Sequence, residues 1–343
     1  MKKFLLYFII FAAIGTVITV TGLTLVENFV YSLNQSSTTT PLASESESQS
    51  QVKKASTITL EENISNLEFS YDNEYYTYLK DSKIYINNIE DGKNVDIIEE
   101  ELPICYCKLL YDKNLIIYFT QNDNGRTTSL QLKTYQIETK RKSEYNKFNV
   151  SNFSCIKDMN MSPVVNILYI NVETKSGTYT NNIIYRIDLF NSMSRVKSGI
   201  IINEMIMLQH KDRIYYEDED SNIYRGNSRI RIFDEDVVLI GIDYDDNLYF
   251  ISKEEKNVVY KVKNDKIVDT IELSDTNLVK TYTNNVGVYL VYPNYVINVA
   301  SEEPYKRLGK LSNYVEFLSI RDNMMYLKTK NNQIIKTEII ESY

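Results

Sequence analysis

The chain has 343 residues, of which 43% are hydrophobic and 24% charged, an ordinary balance for a globular protein of one large domain or two smaller ones. Its formal net charge of −8 argues against a nucleic-acid-binding protein that relies on broad phosphate neutralisation, and it disfavours docking on an anionic lipid surface. Tyrosine, a strong strand former with an apolar ring and a polar tip, is abundant (29 residues), whereas tryptophan is absent.

The N-terminal segment is predicted to anchor the chain in a membrane. Residues 4–26 carry no charge and are long enough to cross a hydrocarbon core of about 30 Å. Cleaved signal peptides usually have an apolar core of about 7–15 residues, so an uncleaved anchor is favoured over a cleaved signal. Lys2 and Lys3 precede the span, and the positive-inside rule therefore places residues 1–3 in the cytoplasm and the rest of the chain outside.

Residues 27–56 are predicted to form a disordered stalk. Between Asn34 and Ser56 the chain is rich in Ser, Thr, Gln and Glu and almost free of large apolar side chains. Such a segment cannot bury enough surface to offset the entropy lost on ordering. We therefore expect it to hold the folded part away from the membrane.

From residue 57 to residue 343 the chain repeats one pattern about every 35–45 residues, a spacing typical of repeat folds. An Asp or Asn turn is followed by a Tyr-rich apolar strand, a second polar turn and another strand, as in 71–79, 111–119 and 244–251. This period with strand-forming residues predicts an all-β fold, a single β-propeller of about seven blades, with six or eight as alternatives. A β-sandwich and two smaller β domains are further alternatives.

The repeats place the blade boundaries. The predicted blades span 65–100, 103–148, 153–201, 204–234, 237–273, 277–311 and 315–343. The third is the least regular, with long turns predicted at 161–163 and 176–178, and the last lacks one strand. The strand-like segment 56–60 is expected to supply that strand, which would close the ring and remove its open sheet edges.

Two strands carry a resemblance to a known group. The sequences Tyr-Tyr-Thr-Tyr at 75–78 and Leu-Tyr-Phe-Ile at 248–251 resemble degenerate versions of the Tyr-Trp-Thr-Asp strand of low-density-lipoprotein-receptor-type propellers. Membrane-anchored envelope proteins of clostridia and related Firmicutes carry propellers of this kind. The resemblance covers about residues 57–343 and implies the fold and an extracytoplasmic, non-enzymatic binding role. Because the Trp and Asp of the motif are not kept, it transfers no functional residue.

The sequence predicts no catalytic residue and no cofactor, and we expect that the protein is not an enzyme. A Ser-His-Asp arrangement would need His210, the only histidine, which occupies a turn position in the repeat. No Gly-x-Ser-x-Gly motif occurs in the chain.

The three cysteines allow three interpretations: buried free thiols, a bridge from Cys105 or Cys107 to Cys155, or a metal site. Their spacing fits none of the usual zinc patterns, which disfavours the metal site.

One acidic stretch resembles a calcium loop. Positions 1, 3, 5 and 12 of such a loop are matched by Asp243, Asp245, Asn247 and Glu254. A second stretch, 218–222, repeats the Asp-x-Asp-x-Asn start. Position 6, normally Gly, is Leu248 or Ile223, and both residues begin predicted strands. A solvated turn is therefore the preferred interpretation, and weak calcium binding is the alternative.

Tyrosines and acidic turns coincide in blades 4 and 5. The tyrosines are Tyr215, Tyr216, Tyr224, Tyr244 and Tyr249. If some of them lie on one rim, they form a surface suited to protein or sugar partners. The alternative is that about half of the strand tyrosines pack between blades, as expected for apolar rings in a propeller.

These features together predict a single-pass envelope protein whose propeller is a non-catalytic binding or scaffold module for another membrane or envelope protein. One alternative is a ligand-sensing accessory subunit of a transporter or sensor kinase. Another is a carbohydrate-acting or degenerate hydrolase propeller, which requires two or more carboxylates of raised pKa in a central pocket. The sequence specifies neither the partner nor the oligomeric state.

Overall fold

The computed structural model describes residues 57–110, 112–162, 164–188, 192–284, 287–301, 307–308, 316–321, 324–338 and 341–342. The predicted cytoplasmic residues 1–3, the predicted anchor 4–26 and the predicted stalk 27–56 lie outside the described residues, so all three stay predictions. In the part of the chain that the structure describes, no helix is both long enough and apolar enough to cross a membrane.

The described residues form strands in which short apolar runs are separated by Asn, Asp, Gly and Ser turns. The first four blades and the strand before them contain β1 (Thr57–Thr59); β2 (Ser65–Phe69), β3 (Tyr75–Lys80), β4 (Lys83–Asn88) and β5 (Asn94–Ile98); β6 (Ile104–Leu109), β7 (Leu115–Asp123), β8 (Thr127–Gln136) and β9 (Arg141–Ser151); β10 (Phe153–Ser162), β11 (Ile167–Ser176), β12 (Tyr179–Asp188) and β13 (Ser192–Ile200); β14 (Ile202–Met207), β15 (Ile214–Asp218), β16 (Ile223–Arg225) and β17 (Ser228–Ile230). The remaining strands are β18 (Val237–Ile242), β19 (Leu248–Ser252), β20 (Val258–Lys263) and β21 (Lys266–Glu272); β22 (Lys280–Thr283), β23 (Val288–Val291), β24 (Val296–Asn298) and β25 (Arg307–Leu308); β26 (Glu316–Arg321), β27 (Met324–Lys328) and β28 (Gln333–Glu338); and β29 (Glu341–Ser342).

Seven antiparallel sheets are present among the described residues, and each is one blade. Consecutive strands pair within every blade, and the first strands of all seven blades line a shared central cavity. The prediction of an all-β, seven-bladed propeller is therefore confirmed, and the predicted blade boundaries agree with the sheets to within a few residues.

The first and last strands, β1 and β29, each add an outer strand to a blade. Strand β1 pairs with β28, placing Ile58 opposite Ile334, and supplies the outer strand of blade 7 as predicted. Strand β29 pairs with β25 and lies on the outer edge of blade 6. The prediction that 341–342 belong to blade 7 was wrong, because the chain leaves β28 and returns to the preceding sheet.

The strands in the middle of a blade are buried on both faces. All five residues of β15 and all five of β19 are buried. Each blade is covered by a neighbour on both sides, so both sets of alternating side chains need apolar partners. At the junction of blades 1 and 7, for example, Phe69 stacks on Tyr326 with their ring centroids 4.3 Å apart.

Blades 2 and 3 are longer than the others at one end. Strand β7 pairs with β6 only as far as Thr120 but continues with β8 to Asp123. The extensions are joined by a backbone hydrogen bond from Lys175 N–H to Asn152 O (2.8 Å). The turn at 176–178, predicted to be long, is a tight hairpin in which Gly177 adopts φ 63°, a conformation that glycine reaches without strain.

Replacing Ile58 with Ala tests the contribution of β1 to ring closure. Ile58 is buried in a cluster with side chains of blades 1 and 7, so the truncation should lower the free energy of unfolding by about 2–4 kcal/mol. Urea denaturation of the full chain measures the change. The matched control is Thr59→Ala, on the exposed side of the same strand, and an equal loss in both variants would contradict a packing role for Ile58.

Candidate functional site

The acidic stretch at 243–247 is a turn capped by its own first residue. Asp243 Oδ1 accepts hydrogen bonds from the backbone N–H groups of Asp245 (3.0 Å) and Asn247 (2.9 Å). Its Oδ2 accepts from Asn247 Nδ2 (2.7 Å) and from the Tyr249 hydroxyl (2.9 Å). Asp246 has a φ of 61°, which short polar residues tolerate. The carboxylate is thus used to hold the chain reversal.

The same capped turn recurs in other blades. Asp218 Oδ1 accepts from the N–H groups of Asp220 (3.1 Å) and Asn222 (2.8 Å). In blade 1 the hydroxyl of Ser70 takes this role and accepts from the N–H groups of Glu74 (3.1 Å) and Tyr75 (2.8 Å). The repeated Asp-x-Asp-x-Asn pattern therefore indicates a capped turn that occurs in several blades.

The calcium candidates are divided between two ends of the propeller. Asp243, Asp245 and Asn247 lie on the turn before β19, whereas Glu254 is exposed on the turn after β19. A full strand separates them, so the structure does not bring the four residues together. Within the described ranges, no group of three or more His, Cys, Asp or Glu side chains is placed to hold a metal ion.

The turns that join the first and second strands of the blades lie at one end of the propeller, which we call the turn end. Polar contacts link these turns between neighbouring blades. Asn114 Nδ2 donates to Asp72 Oδ2 (2.6 Å), and Ser162 donates its hydroxyl hydrogen to the Gln209 carbonyl. Gln209 N–H in turn donates to Asp246 Oδ1 (2.6 Å). These bonds fix adjacent turns relative to each other.

His210 belongs to this set of linked turns. Its backbone N–H donates to Asp246 Oδ1 (3.2 Å), and its ring meets Tyr244 edge-on with centroids 5.0 Å apart. The imidazole Nδ1 lies 3.6 Å from Asp246 Oδ1. The residue therefore connects blades 4 and 5, as its turn position in the repeat indicated.

The five candidate tyrosines do not form one surface. Tyr215, Tyr216 and Tyr249 are buried between blades, Tyr224 is half-buried, and Tyr244 is 63% exposed. The three buried rings occupy strands that are covered on both faces, where alternation gives no exposed side.

Two further exposed apolar residues share the turn end with Tyr244. Tyr71 on blade 1 is 43% exposed and Val164 on blade 3 is 64% exposed. With Tyr244 on blade 5, they occupy the corresponding turns of three alternate blades. Sequence reasoning missed both, although Tyr71 and Tyr244 each directly follow the residue that caps their turn.

A cavity of about 340 Å³ lies where the seven first strands meet. Its charged lining residues are Glu68, Lys108, Glu204 and Arg321. A β-bulge immediately precedes Glu68, Glu204 and the nearby Asp158. Bulges bend a strand and redirect the next side chain, which explains how acidic residues in inner strands are presented at the axis.

The cavity raises the pKa of two carboxyl groups. Glu204 is accessible from the cavity, but protein surrounds it, and this burial, with the nearby Asp158, raises the pKa of Glu204 to about 7. Burial also raises the pKa of Glu68, against the opposing influence of Lys108 and Arg321. The two acids meet the pKa requirement of the hydrolase alternative, but they lie on blades 1 and 4.

One cation in the cavity has hydrogen-bond partners, whereas two nitrogens of the other cation have none. Lys108 Nζ donates to Asp158 Oδ1 (3.1 Å) and to the Met159 carbonyl (2.7 Å). Arg321 is only 8% exposed, and its Nε and Nη1 atoms have no hydrogen-bond partner. Sequence reasoning missed this site, whose only signal is isolated charged residues within the first strands of the blades.

All three cysteines are free. Cys107 is buried, and burial raises the pKa of the Cys105 thiol to about 12. Burial also raises the pKa of Cys155. The thiolate is the reactive form, so these side chains are unreactive near neutral pH.

Comparisons with known proteins add little to this description. No family model matches the chain, and no curated protein matches it. Among solved structures, the chain is similar to the crystal structure of Saccharomyces cerevisiae Sqt1, with 9% identity and a TM-score of 0.46 over 80% of this chain and 83% of that one. At this level the likeness bears on neither ligand nor partner.

Replacing Asp243 with Ala tests the capped turn. Four hydrogen bonds to a buried carboxylate are lost, so the free energy of unfolding should fall by about 2–4 kcal/mol. Chemical denaturation checks this value, with Asp245→Ala, an exposed side chain in the same turn, as the control. A loss that appears only when calcium is present would show instead that the carboxylate binds the ion.

Replacing Glu204 with Gln tests the acidic cavity through the pH dependence of stability. In the folded protein the Glu204 carboxyl group keeps its proton up to about pH 7, whereas its ordinary pKa is 4.5. The stability that comes from this raised pKa is therefore fully present below pH 4.5 and is lost as the pH rises through about 7. The melting temperature of the wild type should fall over this interval, and the variant should show a smaller slope. Glu254→Gln, at an exposed site, should leave the slope unchanged, and an unchanged slope for Glu204→Gln would refute the assignment.

Proposed function

We propose that this protein is a non-catalytic scaffold of the cell envelope, in which residues 4–26 anchor the chain, residues 27–56 form a stalk and the propeller binds another membrane or envelope protein outside the membrane. The uncharged N-terminal stretch and the two preceding lysines support the anchor and its orientation. The resemblance to membrane-anchored envelope propellers supports the same location.

The observation that carries the proposed binding role is the group of exposed apolar side chains at the turn end. Tyr71, Val164 and Tyr244 extend from turns whose backbones are held by hydrogen bonds within and between blades. Binding energy at protein interfaces is concentrated in a few aromatic and apolar anchors. Anchors on a rigid support lose little entropy on binding, so this end is the best-prepared docking surface.

The charges around these anchors indicate the chemistry of the partner. Exposed acidic residues at the turn end include Glu74, Asp112 and Asp245, and Lys211 is an exposed cation there. This excess of negative charge favours a partner that presents apolar sockets flanked by basic side chains.

Replacing Tyr71, Val164 and Tyr244 together with Ala tests the docking surface. We expect the full-length variant, expressed in the source cells, to lose labelling of its main protein neighbour by about tenfold or more, because each anchor typically contributes more than about 1 kcal/mol. Proximity labelling from residues 27–56, read by quantitative mass spectrometry, measures the loss.

The control for this experiment lies at the opposite end of the propeller. Tyr179 is 76% exposed on the β11–β12 hairpin, and Tyr179→Ala should leave the labelling pattern unchanged. A pattern that survives the triple replacement, or that is lost in the control, would reject the turn end as the docking surface.

A second candidate function, carbohydrate hydrolysis in the central cavity, is favoured by the raised pKa values of Glu68 and Glu204. It ranks below the scaffold because paired catalytic carboxylates must flank a single bond, and these two residues belong to blades 1 and 4. If the purified full chain released reducing sugar from envelope polysaccharide, hydrolysis would rank above the scaffold function.

A further inference from the structure

The Arg321 guanidinium is a buried charged group with unsatisfied hydrogen-bond donors. It is more than nine-tenths buried, it lines the central cavity, and neither Nε nor Nη1 has a hydrogen-bond partner. A buried charged donor without a partner is strongly destabilising unless something satisfies it. The planar, forked guanidinium suits a carboxylate or a phosphate.

The other charged groups around the cavity define what can bind there. Lys108 is occupied by Asp158 and the Met159 carbonyl, and Tyr282 shares a hydrogen bond with Ser319 (2.8 Å between their oxygens). Glu204 adds a second acid on blade 4. With Lys108 occupied, Arg321 faces two acidic residues, Glu68 and Glu204, which disfavours a multiply charged anion such as phosphate.

Arg321 and Glu68 lie on the first strands of adjacent blades, β26 of blade 7 and β2 of blade 1. The positive charge of Arg321 acts to lower the pKa of Glu68, yet among the described residues no ion pair within 4.0 Å joins the two side chains. A basic and an acidic side chain on adjacent inner strands, without a direct ion pair, match a ligand that carries a positive and a negative group on the same carbon.

We propose that the central cavity binds a free α-amino acid with an apolar side chain. Its carboxylate would accept hydrogen bonds from the Arg321 guanidinium, and its ammonium group would donate to the Glu68 carboxylate. The apolar lining residues Met205, Ile240 and Ile242 would contact the ligand side chain. A volume of about 340 Å³ lies within the range of small-molecule sites. This inference does not depend on the proposed scaffold function.

Three related compounds test the need for both charges. Isothermal titration calorimetry of the purified full chain would compare L-leucine with 3-methylbutan-1-amine, which lacks the carboxylate, and 4-methylpentanoic acid, which lacks the ammonium group. We expect L-leucine to bind at least about tenfold more tightly than either analogue, since each loses one charge-assisted contact. Equal binding of L-leucine and 4-methylpentanoic acid, or no heat from L-leucine at millimolar concentration, would overturn the proposal.

Two replacements assign the contacts. Arg321→Met and Glu68→Gln should each weaken L-leucine binding by about tenfold or more. Arg231→Met is the matched control, because Arg231 is exposed and away from the cavity, and it should bind as the wild type does. Unchanged binding in either cavity variant would overturn the proposal.

The stability of the ligand-free variant separates a binding role from a structural one. If Arg321 serves a ligand, Arg321→Met removes an unpaired buried charge, and its melting temperature without ligand should equal or exceed that of the wild type. A lower melting temperature would indicate a structural role and count against the proposal. Should Arg321→Met fail to fold, Glu68→Gln and the analogue series still decide it.

Discussion

Pairing of β1 with β28 is the contact on which the ring depends, because it joins the two ends of the repeat array. Each blade needs a neighbour on both faces, so a ring left open at this point would expose the apolar faces of blades 1 and 7. The seam is reinforced where Tyr326 donates its hydroxyl hydrogen to Asn73 Oδ1 (2.8 Å) and Asn332 Nδ2 donates to the Leu60 carbonyl (2.8 Å). Closure thus protects both apolar surface and the strand edge of β28.

The same two-sided burial decides what the sequence can predict. The number of blades, their boundaries and the closing strand were predictable because capped turns and apolar runs are local features of the chain. The exposure of individual tyrosines was not, since Tyr216 and Tyr249 lie in strands buried on both faces, where no alternation distinguishes inside from outside. The acidic turns resembled a metal site because the same Asp oxygens can either coordinate a metal ion or accept hydrogen bonds from backbone N–H groups. In this fold they accept the backbone hydrogen bonds that hold the turn.

The central cavity was hidden from the sequence for a different reason. Glu68 and Arg321 lie in the first and last blades and become neighbours only when the ring closes. Glu68 is the only charged residue of β2, and Arg321 is the last residue of β26, so neither belongs to a recurring pattern of charged residues. A bulge before Glu68 presents its side chain at the axis, and bulges are set by strand pairing rather than by a residue type.

The proposed ligand site lies on the seam that β1 closes. Arg321 belongs to blade 7 and Glu68 to blade 1, so an amino acid held between them would link the two blades at the inner strands while β1 links them at the outer edge. A ligand that binds only the closed ring stabilises it by a free energy that rises with the logarithm of the free ligand concentration above the Kd. Arg321 is the last residue of β26, the strand that leads to the turn end, so a protein docked there would lie close to the proposed ligand. Ligand occupancy and partner binding would then be energetically coupled, and any such coupling must act equally in both directions.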